Sequence, residues 1–501
     1  MILASIVEGI EYKLLQGTLD TEVSMLANDS REIRAQGLFF CIPGSNVDGH
    51  DFASSVTEQG ASVLVVEHPV MVENDTVTIL QVENSRYAMG MISAAFYGNP
   101  SREMTVIGIT GTKGKTTTTY MIQSMLNSAG HQCGLIGTIE MIVGEMHIPA
   151  KNTTPESLVV HQRMREMVDA GMDCVVMEVS SQGMMLDRVS GVEFDYGIFT
   201  NLSEDHIGPN EHKTFEEYMM WKKKLFSLCK KAFFNIDDFH APTMMQDALC
   251  EKMTYGMKKQ CDYYATNMHL YNENGNMGVA YTLYNQGLST EVHVNMPGDF
   301  SVHNSLAAIC VAQAMGVPMD VILDVLNRIT VKGRVELIPI SDAFTLMIDY
   351  AHNAVSLESI LDCLRAYQPK RLVAVFGCGG NRSKVRRYEM GEVSGKKADL
   401  TIITSDNPRF EEPLDIIQDI KTGIMKTDGE FIEIPDRKEA FRYAIMNARQ
   451  GDVIVLAGKG HEDYQEIKGV KYHMDERKLI REVLEEENIE EICGYHNRYF
   501  S

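Results

Sequence analysis

The chain has 501 residues, of which 44% are hydrophobic and 23% charged, with a formal net charge of −23. That length exceeds one ordinary core and predicts about three domains. The acidic balance argues against a nucleic-acid-binding surface, and no apolar run is long enough to insert into a membrane. The opening MILASIVEGIEYKLL has no basic segment ahead of an apolar one, so no signal peptide is read. The ten cysteines form no C-x-x-C pair or metal-ligand spacing and read as buried free thiols in a reducing cytoplasm. The thirty-two methionines read as fillers of core gaps.

Residues 1–100 form a first block. Short apolar runs, GLFFCI (37–42) and ASVLVVE (61–67), are separated by the turn signals Pro43-Gly44 and Asp48-Gly49, and Gly98-Asn99-Pro100 reads as a linker. A second block, 101–335, opens with the strand MTVIGIT. The runs CGLIGTI, CVVMEVSS and DYGIFTNL then alternate with helical stretches, which predicts a mostly parallel sheet flanked by helices. A third block, 336–501, repeats the rhythm with TLMIDYA, RLVAVFG, LTIITSD and DVIVLAGKG. The expected fold is α/β in three domains: a small N-terminal one, a central P-loop-type one and a C-terminal Rossmann-like one.

GITGTKGKTTTTYMI (108–122) carries the most chemistry. Glycine lets backbone N–H groups approach an anion, and the helix that follows points its positive end at the same spot. Gly111, Thr112, Lys113, Gly114, Lys115, Thr116 and Thr117 would cradle a nucleoside triphosphate, with Lys115 on the outer phosphates and the Thr116 hydroxyl on magnesium. The spacing is irregular. The usual first glycine falls on Ile109, and Gly108 lies one residue further back. Because the chain is acidic, charge on the ligand must be met locally by magnesium, backbone N–H groups and a few placed cations. Other distinctive residues also fall just past strands, where open α/β sheets bind ligands. These are Glu178 to Ser181, Asn201 to His206, Asp349 to His352, Gly377 to Gly380, Asp406 to Arg409 and Gly458 to Glu462.

In this order, DSREIRAQGLFFCIPGSNVDGHDF, GITGTKGKTTTTYMI, NTTPES, EVSSQG, FTNLSEDH, GRVE, DYAH, FGCGGNRSK, SDNPR and AGKGHEDYQ resemble the Mur ligases over nearly the whole chain. Within that family they are most similar to the branch that adds the third residue of the peptidoglycan stem peptide. The resemblance implies an ADP-forming amide ligase of cell-wall biosynthesis, cytoplasmic and monomeric. ATP phosphorylates the carboxylate of UDP-MurNAc-L-Ala-D-Glu, and an amine then displaces phosphate.

The resemblance also implies roles. Lys115, Glu178, His206 and Lys222 are catalytic. Thr116, Glu178, His206 and a carbamylated Lys222 hold magnesium, although Lys222 to Lys224 alone also read as a solvated helix face. Asn304, Arg334, Asp349 and His352 complete the ATP site. Ser30, Asp48, Gly49, His50, Thr153, Thr154, Ser180 and Arg188 take the UDP-sugar dipeptide. Arg387, Asp406, Asn407, Arg409, Gly458 and Glu462 take the incoming amino acid, and Arg409 in the DNPR segment implies meso-diaminopimelate, whose distal carboxylate a guanidinium fork suits. The lesser alternative for Arg409 is a surface salt bridge beside Glu411 and Glu412. Some positions depart from the family pattern: Gln182 where histidine is common, Leu186 in place of a polar residue, Asn353-Ala354 where Thr-Pro is usual, and a longer IGPNEHKTFEEY stretch. L-lysine or another amine, or a non-catalytic paralogue that binds nucleotide or precursor, stays open on the sequence.

Overall fold

The computed structural model describes residues 1–44, 47–205, 207–208, 211–273 and 276–487. The chain forms two compact units, Met1–Tyr264 with Leu306–Ile322, and Ala265–Ser305 with Leu323–Ser501. Among the described residues no helix is long and apolar enough to cross a membrane.

The first unit holds two sheets. The smaller runs in the order Lys13–Gln16, Thr78–Gln81, Ala61–Val66, Gly37–Phe40, Met25–Ala27, parallel except for its first strand. Strand side chains alternate between faces. Here Leu38, Phe40, Val63 and Val65 enter one buried cluster, and Phe39, Cys41, Leu64 and Val66 another. Burial on both faces is why these strands read as unbroken apolar runs.

The larger sheet places Thr105–Thr110 between Phe194–Phe199 and Cys174–Glu178. Cys229–Asn235 and Glu251–Gly256 extend it on one side and Cys133–Ile136 on the other, all parallel. Glu140–Val143 and Met146–Pro149 close that second edge antiparallel. The expected mostly parallel sheet is found. Met164, Met167, Met172, Met177, Met184 and Met244 pack in one core cluster, so the methionines do fill the interior. In register, Glu178 pairs with Ile109 and Phe199 with Thr110. The loops after all three strands therefore meet at one end of the sheet.

The second unit contains a six-stranded sheet in the order Glu336–Ile338, Thr345–Asp349, Asp452–Ala457, Arg371–Phe376, Leu400–Ile403, Phe431–Glu433. All neighbours are parallel except the first pair. Clusters on its two faces take alternate residues, Ala374 and Val455 on one and Val375 and Leu456 on the other. An antiparallel hairpin, Asn276–Asn285 with Leu288–Val294, was not expected from the sequence. Its turn residues Gln286 and Gly287 both have positive φ, the geometry that matches strand twist in a two-residue turn.

Candidate active site

The strand, glycine-rich loop and helix expected at 105–128 are found. After Thr105–Thr110 the chain turns through Gly111 (φ +148°) and Gly114 (φ +87°) into the helix Lys115–Ser128. A Cβ at Gly111 would collide with Thr200 Oγ1 and lie 3.0 Å from Asn201 O. Glycine is thus required for the loop to pass that close. The loop is latched by the neighbouring strand's tail: Lys113 N–H donates to Asn201 Oδ1 (2.9 Å), and Asn201 Nδ2 and Thr200 Oγ1 donate to Lys113 O (3.0 and 2.7 Å). No side chain caps the helix, so its first N–H groups are available to an anion. The Lys115 ammonium closes over the loop, donating to Gly111 O at 2.8 Å and Thr112 O at 3.1 Å.

Glu178 ends its strand 1% exposed. Oε2 accepts from Thr116 Oγ1 (3.1 Å) and Thr138 Oγ1 (3.0 Å), and Oε1 accepts from Thr138 N–H (2.8 Å). This carboxylate with two hydroxyls is an all-oxygen donor set, the kind a hard cation such as magnesium takes. Thr154 donates to Glu178 O at 2.9 Å, and Thr138 Oγ1 lies 3.1 Å from Thr153 Oγ1. Ser180 caps the helix Ser181–Met185, and Arg188 binds Thr154 O (3.1 Å) and Glu156 (2.8 Å). Thr153, Thr154, Ser180 and Arg188 thus gather beside the oxygen cluster.

Lys222, on the helix Phe215–Lys223, is 2% exposed. Its Nζ donates to Gly111 O at 2.7 Å and sits 4.5 Å from the Tyr218 ring centroid. The surface reading of the lysine run fails at this position. Burial, reinforced by the nearby Lys115 charge, pushes its pKa well down. The Tyr218 hydroxyl meets Thr112 Oγ1 at 3.0 Å, so one helix touches the phosphate loop twice. Trp221 precedes Lys222 and borders a 390 Å³ hollow with Met220, Lys223 and Lys224. His206 lies outside the described residues.

In the N-terminal block, Asp48 caps the turn that Gly49 opens. A Cβ on Gly49 would stand 2.9 Å from Ile42 O. His50 is buried. Its Nε2 accepts from Glu67 N–H (2.9 Å), so Nδ1 must carry the proton it gives Asp48 Oδ1 (2.6 Å). One ring nitrogen is thus engaged within the turn and the other by the backbone just past the strand Ala61–Val66. Ser30 sits between Asp29 and Arg31, whose guanidinium holds Asp29 down at about 2.

In the second unit, Asp349 is held by Val335 N–H (2.9 Å) and Ala351 N–H (2.8 Å). Burial raises its pKa against those bonds. Arg334 stacks over the Tyr350 ring, 4.8 Å from its centroid. The exposed His352 meets Tyr350 O at 2.8 Å through Nδ1, and Asn304 is buried on the helix Phe300–Ala314.

Arg387, Asp406, Asn407, Arg409, Gly458 and Glu462 all line one 150 Å³ pocket. Arg387 is 1% exposed. It pairs with Glu411 (2.7 and 2.8 Å) and Asp419 (2.9 Å), and its hydrogen bonds pull Glu411 down to about 2. Arg409 binds Glu466 (3.2 Å) and Gly380 O (2.8 Å) rather than Glu411 or Glu412. The alternative local salt bridge is not formed, and Glu411 is instead bound by Arg387.

Comparison with known proteins decides the family. Three family models match in chain order: "Mur ligase family, catalytic domain" over 22–97, "Mur ligase middle domain" over 109–312 and "Mur ligase, glutamate ligase domain" over 333–460. The UDP-N-acetylmuramoyl-L-alanyl-D-glutamate–2,6-diaminopimelate ligase 1 of Clostridium acetobutylicum is 42% identical over 490 residues, covering 97% of this chain and 100% of the relative. The chain belongs to the Mur ligase family. The corresponding ligase of Clostridium perfringens is 40% identical over 492 residues, covering 97% and 100%. A solved structure of a 2,6-diaminopimelate ligase of the same name matches with a TM-score of 0.71 at 28% identity, over 97% of this chain and 99% of that one. The Thermotoga maritima MurF ligase solved with ADP shares the fold, with a TM-score of 0.61 at 19% identity over 94% and 98%.

Sequence reasoning had missed several residues of this Mur ligase site. Thr138 supplies two of the donors to Glu178, but a lone threonine in GTI carries no motif. Lys459, inside the quoted AGKGHEDYQ, is 0% exposed, and its two flanking glycines were the available signal. Arg437 is 3% exposed and donates to Ser405 O (3.0 Å), Ala457 O (3.1 Å) and the buried Glu476. It ties together the loops that carry Asp406 and Gly458, across a sequence separation that no local pattern reveals.

Proposed function

We propose that this enzyme joins meso-diaminopimelate to the terminal glutamyl residue of UDP-MurNAc-L-Ala-D-Glu, with ATP as the driving reactant. The observation that carries the reading is the gathering of all six amine-site residues around one pocket. The pocket is rich in guanidinium groups, which suits an amino acid carrying a second carboxylate.

A carboxylate is a poor electrophile. In the first step its oxygen attacks the γ-phosphorus, the bond to the β-phosphate oxygen breaks, and ADP leaves. In the second step the amine nitrogen attacks the acyl carbon, inorganic phosphate leaves with the bonding pair, and the nitrogen loses a proton. The amides of 111–116 and the Lys115 ammonium hold the phosphates while charge moves between oxygens. Thr116, Glu178 and Lys222 as its carbamate would hold magnesium, with His206 assigned from the family pattern. When bound, the ion neutralises charge on the transferring phosphoryl group. Burial that lowers the Lys222 pKa favours the neutral amine, the form that takes up carbon dioxide. Thr153, Thr154, Ser180 and Arg188 would orient the acceptor beside Glu178. Ser30, Asp48, Gly49 and His50 would hold the uridine end. Asn304, Arg334, Asp349 and His352 would face the nucleotide, and the enzyme would work as a cytoplasmic monomer.

The test is phosphate release from ATP with the UDP-muramoyl dipeptide and a panel of amines. Strong turnover with meso-diaminopimelate is expected. A strong response to lysine with silence toward diaminopimelate would overturn the choice of substrate.

A further inference from the structure

We infer that Lys459 is a positioning residue of the amino-acid pocket, its buried ammonium fixing which atoms of Asn407 and Glu462 face the incoming amine. The inference rests on the proposed reading of this pocket.

Lys459 stands between Gly458 (φ +109°) and Gly460 (φ +54°), directly after the strand Asp452–Ala457. A lysine is almost never fully buried without partners, and this one is 0% exposed. An ammonium has three N–H donors and no acceptor. Its acceptors here are Asn407 Oδ1 (2.7 Å), Glu462 Oε2 (3.2 Å) and the Tyr464 carbonyl, and Asp406 Oδ1 lies 3.4 Å away. Three of its four neighbours are pocket residues.

The consequence for Asn407 is directional. Its Oδ1 accepts from Lys459 and from Glu466 N–H at 2.8 Å. A flipped amide would set its own N–H₂ against an ammonium and an N–H, donor against donor. The orientation is therefore determined: Nδ2 gives one proton to Glu462 Oε2 at 3.0 Å, and its second proton is left for a ligand acceptor such as a carboxylate. Glu462 is oriented by the same contacts. Oε2 is taken by Lys459 and Asn407, which leaves Oε1 to receive an ammonium. Lys459 also lies within 3.4 Å of both pocket carboxylates, so their charge is balanced from beneath rather than by the substrate alone. One donor and one acceptor, held side by side, fit the carboxylate and ammonium at the far end of a diamino diacid.

The test is steady-state kinetics on Lys459→Met, which keeps most of the length and removes the charge, and on Lys459→Arg, which keeps a cation. For Lys459→Met the KM for meso-diaminopimelate should rise at least about tenfold, the loss of one charge-assisted hydrogen bond. The KM for ATP and for the UDP-dipeptide should stay within about twofold. Lys459→Arg should recover part of the loss. Asn407→Ala should cost less in the Lys459→Met background than in the wild type, because the two act as one unit. An unmoved amine KM, an equal rise for all three substrates, or Lys459→Arg as impaired as Lys459→Met would overturn the inference. If Lys459→Met does not fold, Lys459→Arg alone decides: an amine KM raised about threefold or more with the other two unmoved supports it, and anything else overturns it. Wild-type enzyme inactive with every amine would instead overturn the proposed function.

Discussion

The Arg437–Glu476 pair gives a quantitative test of what holds the second unit together. Arg437 is 3% and Glu476 0% exposed, and the guanidinium reaches Oε1 through Nε (2.9 Å) and a terminal nitrogen (2.5 Å). Arg437→Met would leave a buried carboxylate without its cation, a change that costs about 3–5 kcal/mol. It would also strip a donor from the Ser405 and Ala457 carbonyls, at about 1 kcal/mol each before relaxation. The sum, about 5–7 kcal/mol, corresponds to amide exchange faster by about four to five powers of ten, since a factor of ten is about 1.4 kcal/mol. Hydrogen exchange read on Leu400–Ile403 and Asp452–Ala457 measures this unit by itself and needs no two-state assumption for the whole chain. The strand Thr105–Thr110 serves as internal reference. Arg437→Met/Glu476→Leu, which removes both charges, should recover most of the loss. Less than about tenfold acceleration in the single variant, or a double variant no better than the single, would refute the reasoning.

Gly111→Ala forces a Cβ into Thr200 Oγ1 at a φ of +148°. ATP affinity by calorimetry should fall about a hundredfold, and a change under twofold would contradict the close-packed loop. Thr138→Val removes one hydroxyl donor from the Glu178 carboxylate. It should lower kcat/KM about tenfold, with magnesium titration of activity showing the shift. Glu411 is held at about 2, below its ordinary 4.5, chiefly by its hydrogen bond to Arg387. Its folded pKa is depressed, so its contribution is complete above about 4.5 and is lost as pH falls through about 2. Thermal scans across that window should flatten in Glu411→Gln. Lys222→Ala should abolish turnover, and intact-mass measurement near neutral pH should find the wild type heavier by one carbon dioxide; unimpaired turnover would exclude a role for the side chain.

Features that depend on neighbours in sequence were legible, and those that depend on distant partners were not. The strand, loop and helix of 105–128 could be read because glycine, lysine and threonine must sit together to bind phosphate. Glu178 could be read because a carboxylate ending the apolar CVVME strand is out of place without a partner. The strands ending at Asp349, Phe376, Ile403 and Ala457 were visible because both faces of their sheet are buried. The hairpin of 276–294 was not, since Leu288–Val294 is largely exposed and offers no apolar run. At Lys222 composition alone favours a solvated face for three lysines; the family resemblance singled out this one, and it is the one that turns inward. The contact of Arg409 with Glu466 was not legible, because the two lie 57 positions apart in sequence.

The helix that buries Lys222 carries the chain's one tryptophan immediately before it. Lys224 also stands 5.0 Å from the centre of that indole ring. Indole emission from this protein therefore originates at a single address, beside the amine whose charge is at issue. Converting a neutral amine to an anion there would register as a spectral shift under excitation that spares tyrosine, with no dye attached.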